Sequence, residues 1–235
     1  MSARLAAHYP QGPREIAALD ELDFFEREFE PGQYLLREGD RPKYCSFLQS
    51  GYVYRHKIVG DGGRQIVSIH LAGDFIDVQN ILLDQSDHNI QALTIATALM
   101  VSVEELIQAA TTHPSIAKAL WRETLVEASL MREWIVNVGR RDARARTAHM
   151  LCEMAMRREH AGLGPRETFD LPMTQEQLGD TLGLTAVHVN RTLKALETGG
   201  LIKRHKRSVT VADWRGLQQV GDFTSGYLHL ERTNT

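Results

Sequence analysis

The rhythm of hydrophobic and polar positions changes along the chain and divides it into three regimes. From Phe29 to about Val103, short apolar or alternating segments recur: Tyr34-Leu35-Leu36, Phe47-Leu48, Gly51-Tyr-Val-Tyr54, Gln65-Ile-Val-Ser-Ile69 and Ile90 to Val103. Turn residues separate them at Pro31-Gly32, Glu38-Gly39-Asp40, Ser50-Gly51, Gly60-Asp61-Gly62-Gly63 and Ala72-Gly73-Asp74. Short strands at regular spacing with glycine-rich turns predict a β-sandwich or barrel, in its plainest form a jelly-roll sensor or binding domain. From Pro114 the turns stop and helix formers run to about Val138, where Gly139 is expected to end the helix. Trp121, Leu125, Ala128, Met131, Trp134, Ile135 and Val138 give this helix more than one apolar stripe, more than a single packing partner needs. One stripe can face the β domain while another meets the same helix of a second subunit, as in a two-stranded coiled coil. The alternative is a core helix of a monomer. Arg140-Arg141-Asp142 is expected to begin a further helix carrying Ala145, Ala148, Leu151, Cys152 and Ala155, with a hinge at 138–142.

Residues 174 to 197 predict two short helices joined by a tight turn. The first opens with a capping box, in which the Thr174 hydroxyl accepts from the backbone N–H of Gln177 while the Gln177 side chain reaches back. Gly183 supplies the turn and Thr185 is a second N-cap; Val189, Leu193 and Leu196 then recur at the spacing of one buried face. At ~100° per residue, Val187, Asn190, Arg191 and Lys194 point away from that stripe, as a helix lying in a DNA major groove requires. A surface helix pair with a merely solvated outer face would share this pattern. The residues that follow favour DNA: after Gly199-Gly200 come Leu201-Ile202, the basic run Lys203-Arg204-His205-Lys206-Arg207 and the alternating Val209-Thr210-Val211. They predict a small hairpin with a cationic tip, the wing of a winged helix, suited to phosphate contacts.

Composition sharpens this picture in four ways. With 235 residues and 43% apolar content, the chain suits one large or two modest globular domains. No apolar run approaches the roughly 20 residues of a membrane span, and the polar N-terminus with its early prolines lacks a signal-peptide core, so a cytoplasmic location is expected. Cys45 and Cys152 lie far apart without C-x-x-C spacing, which argues against a zinc site or a disulfide framework; buried, inert thiols are expected, with redox sensing as the alternative. The net charge of -3 conceals an asymmetry, since residues 139–211 carry roughly +5 and the remainder roughly -8. A basic module attached to an acidic domain fits a nucleic-acid binder.

Taken in order, these pieces resemble the Crp/Fnr family of bacterial transcription regulators over nearly the whole chain. In the β part the resemblance rests on Pro31-Gly32, Glu38-Gly39-Asp40, Phe47-Leu48-Gln-Ser-Gly51 and Gly73-Asp74-Phe75. In the last third it rests on Thr174-Gln-Glu-Gln-Leu-Gly, Gly183-Leu184-Thr185, Val189-Asn190-Arg191-Thr192-Leu193 and Gly200-Leu201-Ile202. The resemblance implies an α+β architecture: an N-terminal extension (1–20), a cyclic-nucleotide-binding-like β-roll sensor (21–112), a central dimerisation helix (113–138) and a C-terminal winged helix-turn-helix domain (139–235). It implies a homodimer whose two recognition helices enter successive major grooves of a palindromic operator, with half-sites ~34 Å apart. Base contacts are expected from Val187, Asn190, Arg191 and Lys194. Arg191 stands where the family places an arginine able to pair bidentately with guanine, and Val187 stands where a glutamate is common. Backbone contacts are expected from Gln175, Thr185, Ala186, His188, Lys203, Arg204, Lys206 and Arg207.

The departures from the family concern the sensor. Members that bind cyclic AMP carry a cassette that begins Gly-Glu and ends Arg-Ser, because a cyclic phosphate needs an N–H nest and a guanidinium. The matching positions here are Asp77-Val78 and His88-Asn89, so the arginine and the glutamate are both missing. A carboxylate at 77 would oppose an anionic phosphate unless a cation paired it, and cyclic AMP is not expected to bind in the usual way. Cys45 and Cys152 cannot supply the four thiolates of the iron-sulfur-sensing members. His70 and His88 lie near the effector region; polar core or surface histidines are expected there, with haem or metal ligation as the alternative, and no cofactor is expected. The partners implied are double-stranded DNA, a second copy, RNA polymerase and an unidentified small effector. The competing functions are an effector-independent regulator whose β domain serves protein contacts and, lacking the His-x-His ligand spacing, a cupin-like metalloenzyme.

Overall fold

In the computed structural model, which describes residues 5, 6 and 9–230, the alternating N-terminal region folds as two four-stranded antiparallel sheets. The strands are β1 (Phe25–Phe29), β2 (Tyr34–Leu36), β3 (Tyr44–Ser50), β4 (Tyr52–Ile58), β5 (Arg64–Leu71), β6 (Phe75–Ile76), β7 (Asn89–Ala92) and β8 (Ala96–Ser102), ordered β1-β8-β3-β6 and β2-β7-β4-β5. The segment expected as one strand from Ile90 is two, because the N–H groups of Leu93 and Thr94 both turn to the Tyr52 carbonyl and break the ladder. Phe29, Leu48, Ile76, Ala96, Ala98 and Met100 of the first sheet share one buried cluster with Val53, Ile90 and Ala92 of the second, so the sheets pack face to face. Side chains on successive strand positions point to opposite faces. Cys45, Phe75 and Val101 therefore leave that core and join a second one with Leu19 of α1 (Pro13–Asp20), Leu106 and Ala109 of α2 (Val103–Thr112), and Ile116, Ala119 and Leu120 of α3.

Helix α3 runs Pro114–Arg140. It passes through Gly139 and so ends later than expected; a helical glycine costs only about 1 kcal/mol, and the Arg146 guanidinium caps the helix by donating to the carbonyls of Val138 at 2.8 Å and Arg141 at 3.1 Å. The next helix, α4 (Ala143–His160), starts after Asp142, whose carboxylate accepts from Ala145 N–H. Two compact units result: one comprises residues up to 56 and 69–128, the other 57–68 and 129–230. The division falls inside α3, whose first turns pack on the outer β-domain core. Its last turns bond to α4, with Trp134 Nε1 donating to both Glu153 oxygens at 3.1 Å.

The second unit contains α4, β9 (Thr168–Asp170), α5 (Gln175–Leu182), α6 (Ala186–Thr198), the hairpin β10 (Ile202–His205) and β11 (Ser208–Val211), and α7 (Trp214–Gly221). The three strands form one antiparallel sheet in the order β10-β11-β9. Leu151, Leu178, Leu182, Val189, Leu193, Leu196, Ile202, Val209 and Leu217 are all buried. Behind them the His149 ring lies between the Gly221 carbonyl and the Tyr227 hydroxyl, each at 3.0 Å, and Tyr227 donates to the buried Glu153 at 2.8 Å.

Candidate nucleic-acid interface

Local sequence builds α5 and α6 as predicted. Thr174 Oγ1 accepts from Gln177 N–H at 3.2 Å and Gln177 Oε1 accepts from Thr174 N–H at 2.9 Å, which completes the capping box. Gly183 adopts φ +64°, the left-handed conformation that favours glycine at a helix C-terminus. Gly179 serves the turn differently: a Cβ there would stand 2.5 Å from the Leu184 carbonyl oxygen, so only glycine lets the turn fold back against α5. Thr185 Oγ1 then accepts from His188 N–H at 3.2 Å and opens α6.

With Val189, Thr192, Leu193 and Leu196 buried, the opposite face of α6 is open. Val187, Asn190, Arg191 and Lys194 line a depression of about 630 Å³ together with Gln175 of α5 and Ala186. Val187 is 81% exposed, an apolar side chain that no neighbour in the chain covers. In the hairpin, His205 pairs with Ser208, which leaves Lys206 and Arg207 as a two-residue turn with Lys206 at φ +54°. Lys203, His205, Lys206 and Arg207 are exposed and His188 is half-buried.

Arg204, one of the expected backbone contacts, also has a partner within the fold. Strand alternation turns it to the face opposite Lys203 and His205, where it is 22% exposed and lies 3.6 Å from Glu197 of α6. Glu197 also accepts from the Arg204 backbone N–H at 3.3 Å, and that bond leads the interactions that lower its carboxyl pKa. Arg204 thus fixes the wing to the end of α6.

Three residues that the pattern did not single out hold the other end of the motif. The last carbonyls of a helix have no intrahelical partner. Gln65 Nε2 donates to the Asp180 carbonyl at 2.7 Å and the Thr181 carbonyl at 3.2 Å, and Arg146 donates to the Leu182 carbonyl at 2.5 Å. Arg64 adds an ion pair with the Asp180 side chain at 2.7 Å. Three of these four contacts join residues 115 or more positions apart, beyond the reach of local periodicity.

Six of the seven residues expected on the dimer face fall into a cavity lining and an exposed set, which share Ile135, while Ala128 is half-buried. Met131, Trp134, Ile135 and Val138 line an apolar cavity of about 520 Å³ with Gln65, Ile66 and Val67 of their own chain. Trp121, Leu125 and Ile135 are 68%, 54% and 72% exposed.

In the effector region the structure brings Asp77 and His88 together. Asp77 Oδ1 lies 2.9 Å from His88 Nε2, and His88 Nδ1 lies 2.7 Å from Asp87. Val78 is buried, and the buried Asn89 accepts from Glu38 N–H at 3.1 Å. The cation that the sequence did not reveal is Arg55 of β4, 2% exposed, whose guanidinium bonds both Asp77, at 2.8 Å, and Glu127 of α3. Burial works to raise the Asp77 carboxyl, but Arg55 and His88 outweigh it, so its pKa lies below the ordinary 3.8. Burial pushes both free thiols up to about 12, helped at Cys45 by the Asp77 charge. Among the described residues no group of three or more His, Cys, Asp or Glu side chains is arranged to hold a metal ion, and no helix is long and apolar enough to cross a membrane.

Comparison with known proteins agrees with both units. Residues 26–113 match the cyclic nucleotide-binding domain family and residues 145–220 the Crp-like helix-turn-helix domain family. The chain is 32% identical to the transcriptional activator protein FnrL of Cereibacter sphaeroides over 230 residues, covering 91% of this chain and 87% of that one. It is 25% identical to the fumarate and nitrate reduction regulatory protein of Escherichia coli, covering 94% and 88%. Among solved structures it resembles FixK2 from Bradyrhizobium japonicum with a TM-score of 0.78 at 26% identity, covering 85% and 98%. A cyclic-nucleotide-binding-type β domain, a winged helix-turn-helix with an open polar face, and relatives of this identity and coverage place the chain in the Crp/Fnr family of DNA-binding transcription regulators.

Proposed function

We propose that the protein is a homodimer that binds a palindromic operator and controls transcription without cyclic AMP bound in the usual way. The observation that carries the reading is the open face of α6, where Val187, Asn190, Arg191 and Lys194 line one depression. Arg191 pairs with guanine O6 and N7, the valine methyls meet a thymine methyl, and Asn190 and Lys194 read neighbouring bases or phosphate. Lys203, Lys206 and Arg207 of the wing, with Gln175, Thr185, Ala186 and His188, contact the sugar-phosphate backbone and set register. Arg204 contributes by holding the wing.

The dimer reading is supported by the spacing of the exposed stripe of α3. Trp121, Leu125, Ala128 and Ile135 follow one another at intervals of four, three and seven residues, the a/d spacing of a coiled-coil seam with one position, Arg132, polar. A second copy that covered this stripe would bring two recognition helices to one face of the duplex. RNA polymerase is the further partner, since the similar FnrL is named an activator. Selection of bound sequences from random DNA tests the reading. The expected outcome is an inverted repeat with half-sites about one helical turn apart and a guanine whose selection depends on Arg191. Enrichment of a single asymmetric site would overturn the dimeric reading, and no enrichment would overturn DNA sequence recognition by this face.

A further inference from the structure

The β domain contains an anion site built like a receptor. Three N–H donors from different parts of the chain converge on one oxygen, Asp77 Oδ1: Arg55 Nη2 at 2.8 Å, His88 Nε2 at 2.9 Å and Gln79 Nε2 at 2.8 Å. Convergent donors with a buried guanidinium are the means by which proteins hold carboxylates and phosphates. Arg55, Asp77 and His88 are each at most 5% exposed, and Gln79 is half-buried at the edge of the site. The Asp77 backbone has φ +60° and ψ +43°, the left-handed conformation that is uncommon outside glycine and best tolerated by Asn and Asp. In this conformation the Asp77 carboxylate meets Arg55. The other guanidinium nitrogen of Arg55 bonds Glu127 of α3, and His70 Nε2 stands 3.9 Å from that carboxylate.

We propose that Arg55, His88 and Gln79 form an oxyanion site of the sensor and that the Asp77 carboxylate is its permanent, intramolecular ligand, tying β4 and the turn after β6 to α3. The proposal rests on the regulator reading for its meaning: the charge that an external oxyanion would supply is already supplied by the chain, so no such effector is needed to complete the domain. A small carboxylate should then bind only when the internal one is removed.

The experiment compares thermal unfolding midpoints of the full chain, Asp77→Gly and Asp77→Gly/Arg55→Gln in sodium formate and in sodium chloride at equal ionic strength. Glycine suits the positive φ while it deletes the carboxylate. The unchanged chain should melt alike in the two salts; Asp77→Gly should melt about 3 °C higher in formate; the double variant should lose that difference. An equal formate response in the unchanged chain, no response in Asp77→Gly, or a full response in the double variant would each overturn the proposal. If Asp77→Gly does not fold in chloride, recovery of folded protein on refolding in formate supports the proposal, and equal failure in both salts counts against it. The readout involves no DNA, so failure of operator selection and failure of this test are separate results.

Discussion

Arg191 and Lys206 are both exposed cations in the second unit, yet they should fail differently when truncated. Arg191 stands on the open face of α6 with Val187 and Asn190, where the proposed function has its guanidinium read a base edge. Arg191→Ala should weaken binding to the selected operator by roughly 1–3 kcal/mol and relax preference at one position. Lys206 is at the wing tip, so Lys206→Ala should weaken all sequences alike and shallow the salt dependence by about one unit. Fluorescence anisotropy on specific and random duplexes over a salt series separates the two; equal loss on both duplexes for Arg191→Ala would contradict its assignment. The exposed residues were legible in sequence because their positions on α6 follow from its buried stripe. Arg204 was not, since only the fold shows that its strand face meets Glu197.

At the level of the element, the helix-turn-helix depends on a close backbone approach. Any side chain at Gly179 meets the Leu184 carbonyl, with the Cβ at 2.5 Å. Gly179→Ala should destabilise the second unit by about 1–3 kcal/mol, the range expected for overpacking, and should lower operator affinity through displaced turn geometry. Chemical denaturation with the anisotropy assay checks this; unchanged stability would mean that the turn relaxes freely. The capping box, the Thr185 N-cap and the glycine turn were readable from consecutive residues. The clamp on the last carbonyls of α5 by Gln65 and Arg146 was not, because neither donor belongs to the motif.

For the whole molecule, two predictions concern assembly and pH. Ile135 is 72% exposed on α3, so Ile135→Lys should leave the protomer folded, shift the sedimentation coefficient from dimer to monomer and reduce operator affinity at least tenfold. A dimer of unchanged stability would exclude this seam. His149 has a lowered pKa, chiefly through burial and then the Arg141 charge, although Glu153, the Gly221 carbonyl and Glu133 oppose the shift. Because the folded value lies below the ordinary 6.5, the unfolded chain binds more protons between those two pH values. The contribution of His149 to stability is complete above about pH 6.5 and is lost as pH falls towards the folded pKa. Denaturation of the unchanged chain and His149→Gln from pH 8 to pH 5 should show the stability difference between them shrinking in that window. A difference that is constant with pH would refute the assignment.

The sequence alone determined the three regimes of the chain, the cyclic-nucleotide-binding-type and helix-turn-helix character of the two parts, and the face of α6 that stays open, but not the helix Val103–Thr112 or the break between β7 and β8. These properties are written in contiguous residues, through periodicity, caps and turn glycines. Tertiary structure decided what the sensor residues do. Asp77 without a visible partner looked like an obstacle to anions; folding places Arg55, 22 positions away, beside it and carries the same guanidinium to Glu127, 72 positions away. Ion pairs between distant residues leave no local period, and their strength depends on burial, which exists only once the sheets and α3 have packed.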